Sequence, residues 1–460
     1  MRRAVAKIPG PKGYPLLGVA LDFKRDPLKL LSDVSRDYGD LVRLRLGANT
    51  MYLVNRAEYV NQVLKLNAHN YGKQNLMYRA MSTLFGEATA IVDGERWKQG
   101  FQLIQPSFTQ QASERAVPQI LKSVEKLVDE WSRRANGAEG DFAETISAMT
   151  LDIIVGSMFG QSLGPEEAEI ARCFRTLVDF IAHRVLSVVK LPLRVPIPRH
   201  RAYAEAIRRL DTVMYRVIEE RLRAPAADDA SDLLSNWIAA SQSGRVPGVT
   251  PRLLRDEVIG IFVAAHGSTA VFLSWILYHL GRHPEIQSRA RAEVQRVFGK
   301  GAPSVDRLSE LTYVTQVIEE SMRLSPPGWI ISRSSIKADR LGDYDIPAGA
   351  MLLISPYLIH HRADYWERPE QFDPERFSPD KAVDIRRATQ DCRYIPFAAG
   401  KRVCTGKVLA MVESKIIISR LLQAFEWLVP PWRESVPEGR FTLNLKGGLN
   451  LAVRPAGGGT

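Results

Sequence analysis

Apolar positions repeat at the helical interval through most of the chain and alternate only in short stretches. From about residue 57 to residue 323 the helical spacing dominates, predicting helices over 112–135, 143–159, 165–186, 199–223, 251–283 and 284–298. A last helix is predicted over 406–425. Alternation in 41–46 and 51–54, around a Gly-Ala-Asn-Thr turn, predicts a hairpin. Strand-like runs return at 330–333 and 351–354, and 441–453 reads as a hairpin turning at Gly447-Gly448. Long helices beside a few short strands make this a mainly α protein of the α-rich α+β class.

One apolar run stands out. Residues 258–280 are almost free of formal charge, long enough for a membrane span. Gly267, Ser268 and Thr269 at its centre, and flanks without an aromatic belt, favour a helix buried on all sides inside the fold. No integral membrane span is expected. The basic start of the chain lacks the apolar stretch of a signal peptide, and with no long linker, charge block or repeat, residues 1–460 are expected to form a single domain. The most loop-like stretch, 224–232, reads as a surface connection.

At 460 residues, 45% of them apolar, the chain can bury a large core. Its net charge of +11 is spread out and carries no recognition motif, which argues against nucleic acid and is compatible with an acidic protein partner. Three cysteines (Cys173, Cys392, Cys404) are too few for a disulfide framework, and a reducing, cytoplasmic setting is expected. Cys392 and Cys404 with His360 and His361 do not have zinc-ligand spacing.

The strongest local chemistry lies in Phe397-Ala-Ala-Gly400-Lys-Arg402-Val-Cys404-Thr-Gly406. A thiolate needs a place where negative charge is stabilised, and the start of the following helix supplies one. Gly400 permits a tight turn that aims N–H groups at the sulfur, and Gly406 lets the helix approach a flat cofactor. Phe397 can shield the sulfur and Arg402 can pair with a carboxylate. A phosphate-binding loop is excluded: five residues separate Gly400 from Gly406, and Val408 stands where Ser or Thr is needed.

The pattern Phe-x-x-Gly-x-Arg-x-Cys-x-Gly resembles the haem-ligand signature of the cytochrome P450 family, of the soluble bacterial type. Glu320-Ser-Met-Arg323 is similar to its Glu-x-x-Arg, and Arg376 in Pro374-Glu-Arg-Phe to its third partner. Glu and Arg three apart share a helical face, which suits a buried bidentate pair with a structural role. Pro9-Gly-Pro, Trp97, Gln105-Pro-Ser-Phe and Tyr394-Ile-Pro-Phe extend the resemblance over the chain. It implies haem b with Cys404 as the iron ligand, and Phe397, Gly400, Arg402, Gly406, Arg333 and Trp97 around the cofactor. It further implies a monooxygenase that uses O2, a small apolar substrate (terpenoid, fatty-acid, steroid or polyketide-like), and electrons from a ferredoxin or flavodoxin with its reductase. Lys98, Lys401, Arg402 and Lys407 would form the docking face of a soluble, monomeric protein. The substrate pocket is expected from 75–90, 174–193, the central helix over 262–265 (Phe262, Ala264, Ala265), the segment 328–331 (Trp329, Ile330) and the 445–449 turn.

Two positions depart from the family. Phe101 stands where an Arg usually pairs with a haem propionate, leaving the Trp97 indole N–H, Arg402 and Arg333 to do so. On the central helix the usual acid–alcohol pair is replaced by Gly267 and Ser268, followed by Thr269. That pair delivers protons while the O–O bond breaks. Ser268 keeps a hydroxyl; Gly267 has no proton to give. His266 is adjacent but points about 100° away, as an ordinary interior histidine would. The gap leaves open a water chain, a substrate hydroxyl, or a different chemistry: isomerase, dehydratase, peroxygenase or oxidative cyclase.

Overall fold

The computed structural model describes residues 7–134, 139–160, 166–186, 191–223 and 232–457. The loop expected at 224–232 falls almost wholly outside them, as do the first six residues and parts of the expected 174–193 pocket wall.

Helix Pro251–Arg282 is the axis of the molecule. Thr250 caps it by accepting a hydrogen bond from Leu253 N at 3.1 Å, and Pro251 fits the first turn, where no N–H partner is required. Nearly all of its residues are buried from Leu253 to Val263 and again from Thr269 to Gly281. It is long and apolar enough to cross a membrane, and 61% of its most apolar window is buried inside the fold. Helices Ala143–Phe159, Pro198–Arg223 and Thr312–Leu324 pack against this central helix, and Lys407–Ala424 touches its C-terminal half. Trp131, Phe142 and Phe425 interlock the outer helices around that core.

Helices form within a residue or two of the predicted limits, with one division. The stretch 112–135 is two helices, Gln110–Arg115 and Val117–Arg134, because Pro118 lacks an N–H and crowds the backbone before it. Strand Leu41–Leu46 pairs antiparallel with Asn49–Val54, Leu41 facing Val54. Met351–Ile354, Ile331–Ser335 and Tyr71–Gly72 extend this into a five-stranded sheet beside the helical body.

The predicted hairpin over 441–453 does not form. Leu443–Lys446 pairs with Val436–Gly439, while Asn450–Pro455 pairs with Glu139–Asp141 and Phe425–Leu428 in a different sheet. Gly447 and Gly448, at φ of 100° and 82°, send the chain across rather than back. Asp141 fixes the crossing by accepting from Leu449 N at 2.9 Å, and a Cβ on Gly448 would lie 2.1 Å from that carboxylate.

Candidate active site

Four segments enclose a cavity of about 400 Å³: the central helix, the loop and helix after Phe397, the helix Gly94–Ile104, and 327–331. Its wall is mostly apolar, with Phe101, Ile104, Phe108, Ile261, Phe272 and Leu409 prominent. Cys404 opens onto it from below.

The cysteine loop is tightly specified. Cys404 N donates to Phe397 O at 2.9 Å and Val403 N to Gly400 O at 3.1 Å. Ala398 adopts a left-handed φ of 61°, a strained state for a residue with a Cβ. At Gly400 no other residue fits: φ is 73° and a Cβ would lie 2.0 Å from Leu64 O. Cys404 faces the cavity yet sits deep in the molecule, so burial pushes its thiol up, opposed by the Gly406 N–H and by Lys407. At Gly406 an added Cβ would meet nothing nearer than Cys404 Sγ at 3.9 Å, which leaves a smooth floor for a planar group.

Behind the loop, Glu320 receives Arg323 in a bidentate pair at 2.7 and 2.8 Å, and Arg376 Nε at 3.3 Å. All three side chains are buried, with Glu320 and Arg323 fully enclosed. Burial pushes the Glu320 carboxyl up, opposed by Arg323 and the Asp373 N–H. His360 then links this cluster to the cysteine loop: its carbonyl accepts from Arg323 Nη1 at 2.9 Å, and its Nε2 accepts from Ile395 N at 2.8 Å. That acceptor role requires a neutral ring with the proton on Nδ1, aimed at Arg323 O. Burial holds the ring well below its usual range, consistent with that form.

A basic cluster closes one edge. Arg402 donates to Asp93 at 2.6 Å and to Val92 O at 2.9 Å, with its guanidinium 4.0 Å above the Trp97 ring. Arg333 lies outside the cavity wall, donating to Ser332 O at 2.8 Å and to Tyr78 Oη at 3.3 Å. Lys73, which the sequence patterns did not single out, is buried in the wall beside them, and its ammonium is held well below its ordinary value by burial and by Arg333 and Arg402. Asp93 is the carboxylate that offsets them, so positive charge is in excess. Buried cations in excess beside a flat-floored, apolar cavity fit a planar cofactor that carries carboxylates.

On the upper wall Ala264, Ala265, Ser268 and Thr269 face the cavity. Ser268 Oγ donates to Ala264 O. A Cβ on Gly267 would meet nothing within 4 Å. His266 is turned aside, its Nε2 3.1 Å from both Ser147 Oγ and Ser147 O. Three expected pocket residues lie elsewhere. Phe262 stacks on Phe174 at 4.5 Å, Trp329 donates to Arg440 O at 2.9 Å while packing on Gly439, and Ile330 joins the core beneath the five-stranded sheet. Of the expected segment 328–331, Gly328 and Ile331 line the wall, and none of 445–449 does.

The family model for cytochrome P450 matches residues 8–447. The chain belongs to the cytochrome P450 family. It is an oxidoreductase, a cytochrome P450 monooxygenase whose cofactor is haem b with a thiolate-ligated iron. It is 31% identical to cyclooctat-9-en-7-ol 5-monooxygenase of Streptomyces melanosporofaciens, over 92% of this chain and 89% of the relative. Cyclooctatin synthase of the same organism is 29% identical over the same shares. The solved cytochrome P450DA haem domain superposes with a TM-score of 0.88 at 22% identity, covering 98% of each chain, which is likeness of fold.

Proposed function

We propose that this cytochrome P450 inserts one oxygen atom from O2 into an apolar terpenoid-type molecule, with electrons from a separate ferredoxin or flavodoxin and its reductase. The apolar cavity wall above Cys404 carries this reading, and two bacterial relatives bear the names of enzymes of cyclooctatin chemistry. Haem b, held through Cys404, supplies the oxygen-activating chemistry. The protein's own residues do the rest. Phe397, Gly400 and Gly406 shape the thiolate's seat, and Arg402, Lys73 and the Trp97 indole N–H would hold the propionates, with Arg333 adding its positive charge from behind the wall. Phe101, Ile104, Phe108 and Phe272 exclude water and orient the substrate, and Ser268 with Thr269 offers hydroxyls beside the reacting oxygen.

On this reading residues 1–460 act as one monomeric, soluble, cytoplasmic unit. Lys401 and Lys407 are exposed and suit an acidic redox partner; Lys98 is exposed but paired with Glu95 at 2.6 Å. Arg402 is turned inward and leaves that face. The open space at Gly267 favours a second reading, in which the same haem-thiolate site performs an isomerisation, dehydration, peroxygenation or oxidative cyclisation.

Spectral titration of the holoenzyme tests the substrate class. Polycyclic terpenoids should give a type I shift with at least tenfold tighter apparent binding, about 1.4 kcal/mol, than fatty acids of equal carbon number. Equal or weaker terpenoid binding contradicts it.

Lys73→Met should lower haem retention about tenfold or more, as expected for losing a charge-assisted hydrogen bond. The apoprotein should unfold at a higher temperature, because a buried cation in excess opposes folding. Haem dissociation measured by transfer to an acceptor protein checks it; an unchanged rate removes Lys73 from the propionate site.

A further inference from the structure

We propose that Glu257, Arg96 and Thr89 form a polar subsite at the end of the cavity away from Ser268, and that it holds a hydroxyl group of the substrate. The molecule oxidised is then a terpenoid alcohol. The proposal rests on the terpenoid oxygenation reading above and narrows it.

The central helix carries three charged residues in a row, Arg255, Asp256 and Glu257, at the start of its buried stretch. Arg255 and Asp256 are used up by the fold. They pair with each other at 2.8 Å, Arg255 also donates to Asp211 at 2.7 Å and to Leu84 O at 3.0 Å, and Asp256 accepts from Glu87 N at 2.8 Å. Of the three only Glu257 lines the cavity, and it is 1% exposed. Its two oxygens are unequally occupied. Oε1 accepts from Thr89 N at 3.0 Å, Thr89 Oγ1 at 2.8 Å and Arg96 Nη2 at 3.1 Å, whereas Oε2 has only a share of the Thr89 N–H, at 3.1 Å. A carboxylate has about four acceptor positions, so Oε2 has room for another donor. Beside it, Arg96 Nη1 is buried with no hydrogen-bond partner among the described residues. The bare Gly100 lets these groups converge: the point its Cβ would occupy is 2.7 Å from Glu257 Oε1 and 3.0 Å from Arg96 Nη1. An open acceptor beside an open donor, both buried, opposes folding until something completes the pair.

The chemistry of that pair selects the ligand group. A hydroxyl donates to Oε2 and accepts from Nη1 with a single oxygen atom. A ligand carboxylate would be repelled by Glu257 and a ligand amine by Arg96. A ketone accepts from Nη1 but sets its lone pairs against Oε2, with no hydrogen to offer. The cavity face of the central helix then fixes the spacing. From Glu257 it runs through Gly260, Ile261, Ala264 and Ala265 to Ser268 and Thr269, the intervals of one helical face. Ser268 comes eleven positions after Glu257, roughly 16 Å along the axis at about 1.5 Å per residue. The positions between are small or apolar and suit a hydrocarbon skeleton lying along the helix. A molecule anchored by its hydroxyl at Glu257 therefore presents carbons remote from that hydroxyl beside Ser268, where the oxygenation reading puts the reacting oxygen.

Spectral titration of the holoenzyme with matched secondary alcohols, ketones and hydrocarbons of the abietane, cembrane and labdane skeletons tests the subsite. The wild type should bind an alcohol at least about tenfold tighter than its ketone, which has nearly the same size and lacks only the donor. Glu257→Gln can turn an amide N–H to the place of Oε2, so this preference should disappear or reverse. The wild type should oxidise the alcohol at a carbon remote from its hydroxyl, and Glu257→Gln should scatter the position. Equal binding of alcohol and ketone by the wild type, a preference that survives intact in Glu257→Gln, or a product oxidised mainly at the hydroxyl-bearing carbon overturns the proposal. If Glu257→Gln fails to fold, the wild-type preference and product position decide alone. Hydrocarbons that bind and are oxygenated while the hydroxyl adds nothing remove the subsite and leave the terpenoid reading standing. No type I shift with any of these compounds overturns that reading itself, and the subsite with it.

Discussion

Cys404→Ser abolishes the thiolate band of the reduced, carbon monoxide-treated protein and lowers turnover at least about 1,000-fold, some 4 kcal/mol of transition-state free energy. The loop itself should survive the change. Its turn is set by backbone bonds, Cys404 N to Phe397 O and Val403 N to Gly400 O, and by Gly400 against Leu64 O. Serine keeps those bonds and loses only the sulfur, so thermal stability of the apoprotein should stay within a few degrees. Electron donation by a cysteine thiolate favours O–O cleavage, and a serine oxygen does not reproduce it. Absorbance spectroscopy and product assay check both halves. A variant that keeps the band places the ligand elsewhere.

Arg323→Leu should be the most destabilising single change behind the haem face. It strands Glu320 in a site where both side chains are fully enclosed, and takes a donor from the carbonyls of His360 and Gln371. Breaking a buried pair by removing one partner costs about 3–5 kcal/mol. Because His360 joins Arg323 to Ile395, the damage should travel into the cysteine loop and lower haem content as well as stability. Denaturant unfolding monitored by tryptophan fluorescence measures the first effect, and the ratio of haem to protein absorbance the second. A loss under 1 kcal/mol would mean that the cluster is not what holds this region together.

The cysteine loop was legible because its demands are local. A turn that only Gly400 satisfies, a thiol before a helix and a bare Gly406 follow one another within ten residues. The helices were legible for the same reason, each carrying its own periodicity. What sequence reading missed depends on distant segments meeting. The 441–453 stretch alternates like a hairpin, and only the partner strands Glu139–Asp141 and Phe425–Leu428 divert its second half. Within the expected segment 328–331, Gly328 and Ile331 face the cavity, whereas Trp329 is drawn away by the Arg440 carbonyl and Gly439 from a distant part of the chain. Lys73 carries no local signature, since a lone lysine in a polar loop reads as solvated until Arg333 and Arg402 are brought beside it. Gly267 could be read as a gap from the sequence, and the structure adds that no neighbouring side chain fills the space.

Turnover of a terpenoid substrate under 18O2 tests the central claim most directly. With NADPH, ferredoxin and reductase, the account predicts one 18O atom in each product molecule and none from labelled water. Product that forms without an electron donor, or that carries no label from dioxygen, would contradict it.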